Sequence, residues 1–89
     1  MILLDDKKTA VEFGKFIQKR RKTLDLYQKD VARELEVTQA YLSQIENGKR
    51  DVTIATAINI CRILKCDIND FINFLSLKKP KIKNKSTQE

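Results

Sequence analysis

Short apolar stripes separated by polar joints run through this chain, and each stripe recurs at about three to four residues, the period of an α-helix. Phe13, Ile17, Arg21 and Leu24 fall on one face of a first helix. Thr9-Ala10-Val11-Glu12 has the form of a capping box, which places the start of that helix at Thr9 and its end near Leu24. Arg21 lies on the inward stripe. A buried guanidinium without a partner is strongly destabilising, so Arg21 demands an acidic group, and Glu46 is the nominee. Gly14 in mid-helix costs about 1 kcal/mol against Ala, which predicts that another helix approaches closely there. Phe16 lies off the stripe, free to cover an N-terminal arm or to meet a second subunit.

The next two helices are short. Residues 28–35 carry Val31, Ala32 and Leu35 on one side, and Val37 follows in a turn. Thr38 suits the N-cap of a helix that runs to Asn47, where Gly48 supplies a left-handed ending. Leu42 and Ile45 point inward, which leaves Gln39, Ala40, Ser43 and Gln44 outward. Two adjoining helices, the second with a polar open face, are what a reader of the DNA major groove needs. A fourth helix follows Thr53, with Ile54, Ala57, Ile58, Cys61 and Leu64 as its apolar face and Ile60 and Ile63 widening it. Asp67 caps a fifth, with Ile68, Phe71, Ile72 and Leu75 as its stripe. Phe74 and Leu77 fall outside that stripe, so the last helix either meets a partner or folds back on the first. The pattern divides the chain into an arm at 1–8, a helical unit at 9–77 and a polar tail at 78–89 that predicts disorder.

Eighty-nine residues make one core, small enough that self-association is expected to add stability. The net charge of +6 is uneven: five of the 18 basic side chains lie in residues 78–89 against Glu89 alone, and the other 77 residues hold 13 basic and 11 acidic groups. Positive charge also gathers at Lys19-Arg20-Arg21-Lys22 and at Lys49-Arg50. Sorted positive charge is the footprint of a polyanion partner, although basic groups at a helix end also answer its dipole. Cys61 and Cys66 come without any His, too few ligands for a metal, and are expected as reduced, buried or half-buried thiols. The absence of a long apolar run and of a signal-like opening points to a cytoplasmic protein without membrane contact. With no His, no Gly-rich phosphate loop and no nucleophile beside a base, an enzyme is not expected, nor is a cofactor.

Gln28, Val31-Ala32, Val37-Thr38, Tyr41-Leu42-Ser43 and above all Ile45-Glu46-Asn47-Gly48-Lys49-Arg50 resemble the Cro/CI-type (Xre) helix-turn-helix family of phage and bacterial regulators, over about Gly14 to Phe71. The sequence departs from the family where Gly is usual, with Asp25 and Glu36, and also at Tyr27 and Val52. The resemblance implies an all-α, compact five-helix, lambda-repressor-like DNA-binding domain in a bacterial or phage-encoded, nucleoid-associated protein. It also implies the Arg21–Glu46 ion pair, and that Gln28, Gln39, Ala40, Ser43 and Gln44 face double-stranded DNA. Position alone gives the same roles. Gln39, Ala40, Ser43 and Gln44 are candidates for base contacts, and Gln28, Asn47, Lys49 and Arg50 for phosphate contacts. The expected function is a transcriptional regulator, most simply a repressor, that binds a palindromic operator as a homodimer. Phe16, Phe71, Phe74, Leu75 and Leu77 are the candidate dimer surface. The competing reading is an antitoxin or protein-interaction module of the same fold, whose main partner is a protein held by the fifth helix or the tail.

Overall fold

The computed structural model describes residues 7–78. The arm before them, the tail after them and the side chain of Leu77 lie outside the described residues, with the expectations placed on them. Among the described residues the chain forms α1 (Lys7–Thr23), α2 (Gln28–Leu35), α3 (Gln39–Glu46), α4 (Ile54–Ile63) and α5 (Ile68–Lys78). The first helix packs on α3 and α5, α2 on α3 and α4, and α4 on α5, around one core. Phe13, Ile17, Val31, Leu42, Ile45, Val52, Ile60 and Leu64 are almost wholly removed from solvent there.

Local chemistry explains most boundaries. The Thr38 hydroxyl accepts from the Tyr41 N–H at 3.0 Å and starts α3; the Thr53 hydroxyl accepts from the Thr56 N–H at 3.1 Å and starts α4. Asp67 and Asp70 cap α5 reciprocally, each carboxylate accepting from the other's backbone N–H. One boundary differs from expectation. The first helix already includes Lys7 and Lys8, so Thr9 lies inside it and does not cap it. Lys is the better helix former, and the helix extends through both lysines.

The glycines mark close approaches. A Cβ on Gly14 would stand 2.5 Å from the carbonyl oxygen of Glu46 and would also strike that of Ile45. This is where α1 meets the end of α3. Gly48, at φ +72°, lies against Val11, so the loop after α3 rests on α1. Both contacts fix the orientation of α3 relative to the rest of the core.

Two stripes are rotated from the predicted ones. On α4, Ala57, Ile60, Cys61 and Leu64 are buried, while Ile58 is 41% exposed. On α5, Phe71 is buried and Ile72 is 51% exposed. Aromatic packing decides the second case. The Phe13 and Phe71 rings meet edge to face at 5.1 Å, and Phe16 lies 5.5 Å from Phe71 and 5.4 Å from Phe74. Phe16 is therefore core, not the off-stripe residue expected, and α5 folds back on α1. Of the residues expected at a dimer surface, Phe16 and Phe71 are buried within the chain, their rings packed on each other and on Phe13.

Candidate nucleic-acid interface

The second helix begins without a side-chain cap. Tyr27, at its N-cap, is extended (φ −86°, ψ 150°) and makes no side-chain capping bond. The Asp30 N–H donates to the Tyr27 carbonyl at 3.1 Å, and the N–H groups of Gln28 and Lys29 are left for an acceptor from outside, at the positive end of the helix dipole. Gln28 opens this helix, half-buried, and beside it Gln39 opens α3. A shallow cleft of about 460 Å³ lies between them, lined by Arg21, Tyr27, Gln28, Lys29 and Gln39.

A buried ion pair supports this corner. Arg21 Nε donates to Glu46 Oε2 at 2.7 Å and Nη2 to Oε1 at 3.0 Å, while Nη1 donates to the Leu26 carbonyl at 2.8 Å. The guanidinium so joins the end of α1, the loop after it and the end of α3. The two-pronged pairing satisfies both charges away from water. Glu46 Oε1 also accepts from Gln28 Nε2 at 2.9 Å, and Gln28 Oε1 accepts from Gln39 Nε2 at 3.3 Å. A continuous chain of hydrogen bonds runs from the ion pair to the first residue of α3.

The outward face of α3 is polar and uncharged. Gln39, Ala40 and Gln44 are exposed and Ser43 is half-buried, while Leu42, Ile45 and Glu46 turn inward. Beyond the helix, Asn47, Lys49 and Arg50 are exposed. The Arg50 guanidinium lies over the Tyr41 ring, 4.7 Å from its centre, which holds a long cation beside the helix. Every described side chain named for DNA contact therefore lies on α3, on the loop after it or at the start of α2.

The basic cluster at 19–22 is divided. Arg21 is committed to Glu46. Arg20 Nε donates to the Leu64 carbonyl at 2.9 Å and Nη2 to the Lys65 carbonyl at 3.0 Å, so it closes the end of α4. Only Lys19 and Lys22 remain exposed for a polyanion. In exchange the site holds two residues that sequence reasoning passed over. Tyr27 is 69% exposed, and the Lys29 ammonium stands 5.9 Å from its ring centre, at the mouth of the cleft. The departure at Tyr27 from the family that the sequence resembles was the available signal.

The two thiols lie away from this face. Burial pushes Cys61 up to about 12, with neighbouring Cys66 and Asp67 adding to the rise, and burial also raises Cys66. Both are free and are held as packing groups. Among the described residues no group of His, Cys, Asp and Glu could hold a metal, and no helix is long and apolar enough to cross a membrane.

The family model described as helix-turn-helix matches residues 17–71, which takes in all of α2, α3 and α4. No curated protein matches the chain.

Proposed function

Because the chain belongs to the Cro/CI-type helix-turn-helix family, whose members bind DNA and are not enzymes, we propose that it is a transcriptional regulator that reads a palindromic operator as a homodimer. One observation carries this reading: the neutral polar face of α3 is left uncovered by the described residues, with a helix start that has no side-chain cap on one side and Lys49 and Arg50 on the other. In the major groove Gln39 and Gln44 offer amide groups that match adenine N6 and N7, and Ala40 a methyl that matches thymine. Ser43 serves a base or a phosphate. The α2 start with Gln28, together with Asn47, Lys49 and Arg50, takes phosphates on the two sides of the groove.

One such helix reads only a few base pairs. A second copy on a half-site one helical turn away, about 34 Å, supplies the missing affinity. The apolar groups we assign to that contact are on α5, where Ile72 is exposed and Phe74 and Leu75 are half-buried. A dimer across a promoter would compete with polymerase, so repression is the simplest outcome.

Selection from random duplexes followed by footprinting tests the reading. The expected product is a two-fold symmetric site protected over both halves, with affinity that falls steeply as salt rises. A site without symmetry, saturated by one copy, would remove the homodimer. Binding to no duplex at any salt would instead favour the protein-interaction reading.

A further inference from the structure

We propose that Glu46 determines which base Gln39 accepts: the buried Arg21–Glu46 pair fixes the direction of the hydrogen-bond chain through Gln28, so that Gln39 meets DNA with one acceptor and one donor and selects adenine over guanine. The inference rests on Gln39 being base-facing and adds the residue that sets its polarity.

The argument is one of donors and acceptors. A side-chain amide has an oxygen end and an NH2 end of nearly equal size, and an unrestrained Gln turns either toward a base. Here the chain begins at a group that cannot turn. The Glu46 carboxylate, held by Arg21 at 2.7 and 3.0 Å, only accepts. The end of Gln28 that reaches Glu46 Oε1 at 2.9 Å must therefore be its NH2. That turns Gln28 Oε1 toward Gln39, and of the two ends of the Gln39 amide only the NH2 can donate to it, across 3.3 Å. One N–H of Gln39 is consumed. Its oxygen and its second N–H remain, in fixed positions, for the groove.

Adenine presents N6–H2 as donor and N7 as acceptor, which this pair of groups satisfies together. Guanine presents two acceptors, O6 and N7, and would leave the Gln39 oxygen facing a like group. An unanchored Gln39 could answer guanine by turning its whole NH2 outward. The anchor forbids that turn. Glu46 touches no base and acts through Gln28, so it is a positioning residue for specificity. It also carries the stability of the corner.

The test starts from the selected site and uses the base pair whose preference Gln39→Ala relaxes. Binding of the wild type, Glu46→Gln and Gln28→Leu is measured by fluorescence anisotropy on duplexes with A·T or G·C at that pair. In Glu46→Gln the new amide can donate or accept, so Gln28 and then Gln39 can invert. In Gln28→Leu the ion pair stays and the link is cut. The wild type should favour A·T by about tenfold or more, and both variants should bring the two duplexes within about threefold. A merely structural loss would weaken both duplexes together and leave their ratio intact. Retention of the wild-type ratio in both variants overturns the inference while the base-facing reading of Gln39 stands. If Gln39→Ala relaxes no position, that reading fails and the inference with it. Should Glu46→Gln not fold, as circular dichroism would reveal, Gln28→Leu decides alone.

Discussion

Arg21 joins the end of α1 to the end of α3 through Glu46, and in the proposed reading it also supports recognition. Its partner Glu46 lies in the core with a side chain 1% exposed, so removal of the guanidinium leaves a carboxylate with little to neutralise it. Arg21→Met should cost about 3–5 kcal/mol in urea denaturation. A loss under about 1 kcal/mol, the range of a surface pair, would show that the contact contributes no more than an exposed one. This residue was legible in the sequence because a charge on an apolar stripe asks for a partner. Arg20 was not, since its acceptors are backbone carbonyls 44 and 45 positions away, and no side chain type announces them. Cys61 gives a pH signature. Its folded pKa lies above the ordinary value of 9.0, so above pH 9 the unfolded chain releases a proton that the folded chain keeps, and stability falls as pH rises toward about 12. Cys61→Ala should flatten that decline in thermal melts between pH 8 and 10, where the ordinary thiol titrates at about 8.5–9. An unaltered slope would count against burial of the thiol.

The first four helices end in the same way. Asp25, Glu36, Gly48 and Lys65 adopt φ of 58°, 61°, 72° and 60°. Each donates its N–H to the carbonyl three residues back, and the following residue donates to the carbonyl five back, as in Cys66 N to Cys61 O at 2.9 Å. After three of these turns comes an apolar residue, Leu26, Val37 or Cys66, packed against the core. That packing holds Asp, Glu and Lys in a conformation that suits Gly. Glu36→Gly and Lys65→Gly should therefore each raise stability by about 0.5–1 kcal/mol, seen as a higher melting temperature, with a lower one contradicting the strain. These elements were largely readable in advance: α2 spans the predicted residues, and α3, α4 and α5 start after the predicted caps. What the pattern could not give was the inward face of α4 and α5. Both carry apolar residues on more than one side, so periodicity leaves the face open, and on α5 the aromatic contacts of Phe13 and Phe16 with Phe71 and Phe74 settle it. Ile58 and Ile72 were misplaced for that reason.

At the scale of the molecule, the proposed recognition and the proposed association use different elements. The groups proposed to face the groove belong to α2, α3 and the loop beyond. The apolar groups proposed for association belong to α5, where Ile72 is 51% exposed and so can be charged without opening the core. Ile72→Glu should leave the fold intact and shift sedimentation toward the monomer, with protection of single half-sites. A dimer as tight as the wild type would place the interface elsewhere. The family and the helical motif were legible from the IENGKR run, whereas the partner surface was not, because no second chain is written in one sequence. The central claim is that the open face of α3 reads bases while its flanks hold phosphates. The most direct measurement compares Gln44→Ala and Lys49→Ala on the selected site and on random duplex across a salt series. Gln44→Ala should lose about 1–3 kcal/mol on the selected site and little on random DNA. Lys49→Ala should weaken both alike and lower the salt slope by about one. Equal losses on both duplexes for Gln44→Ala would contradict the account.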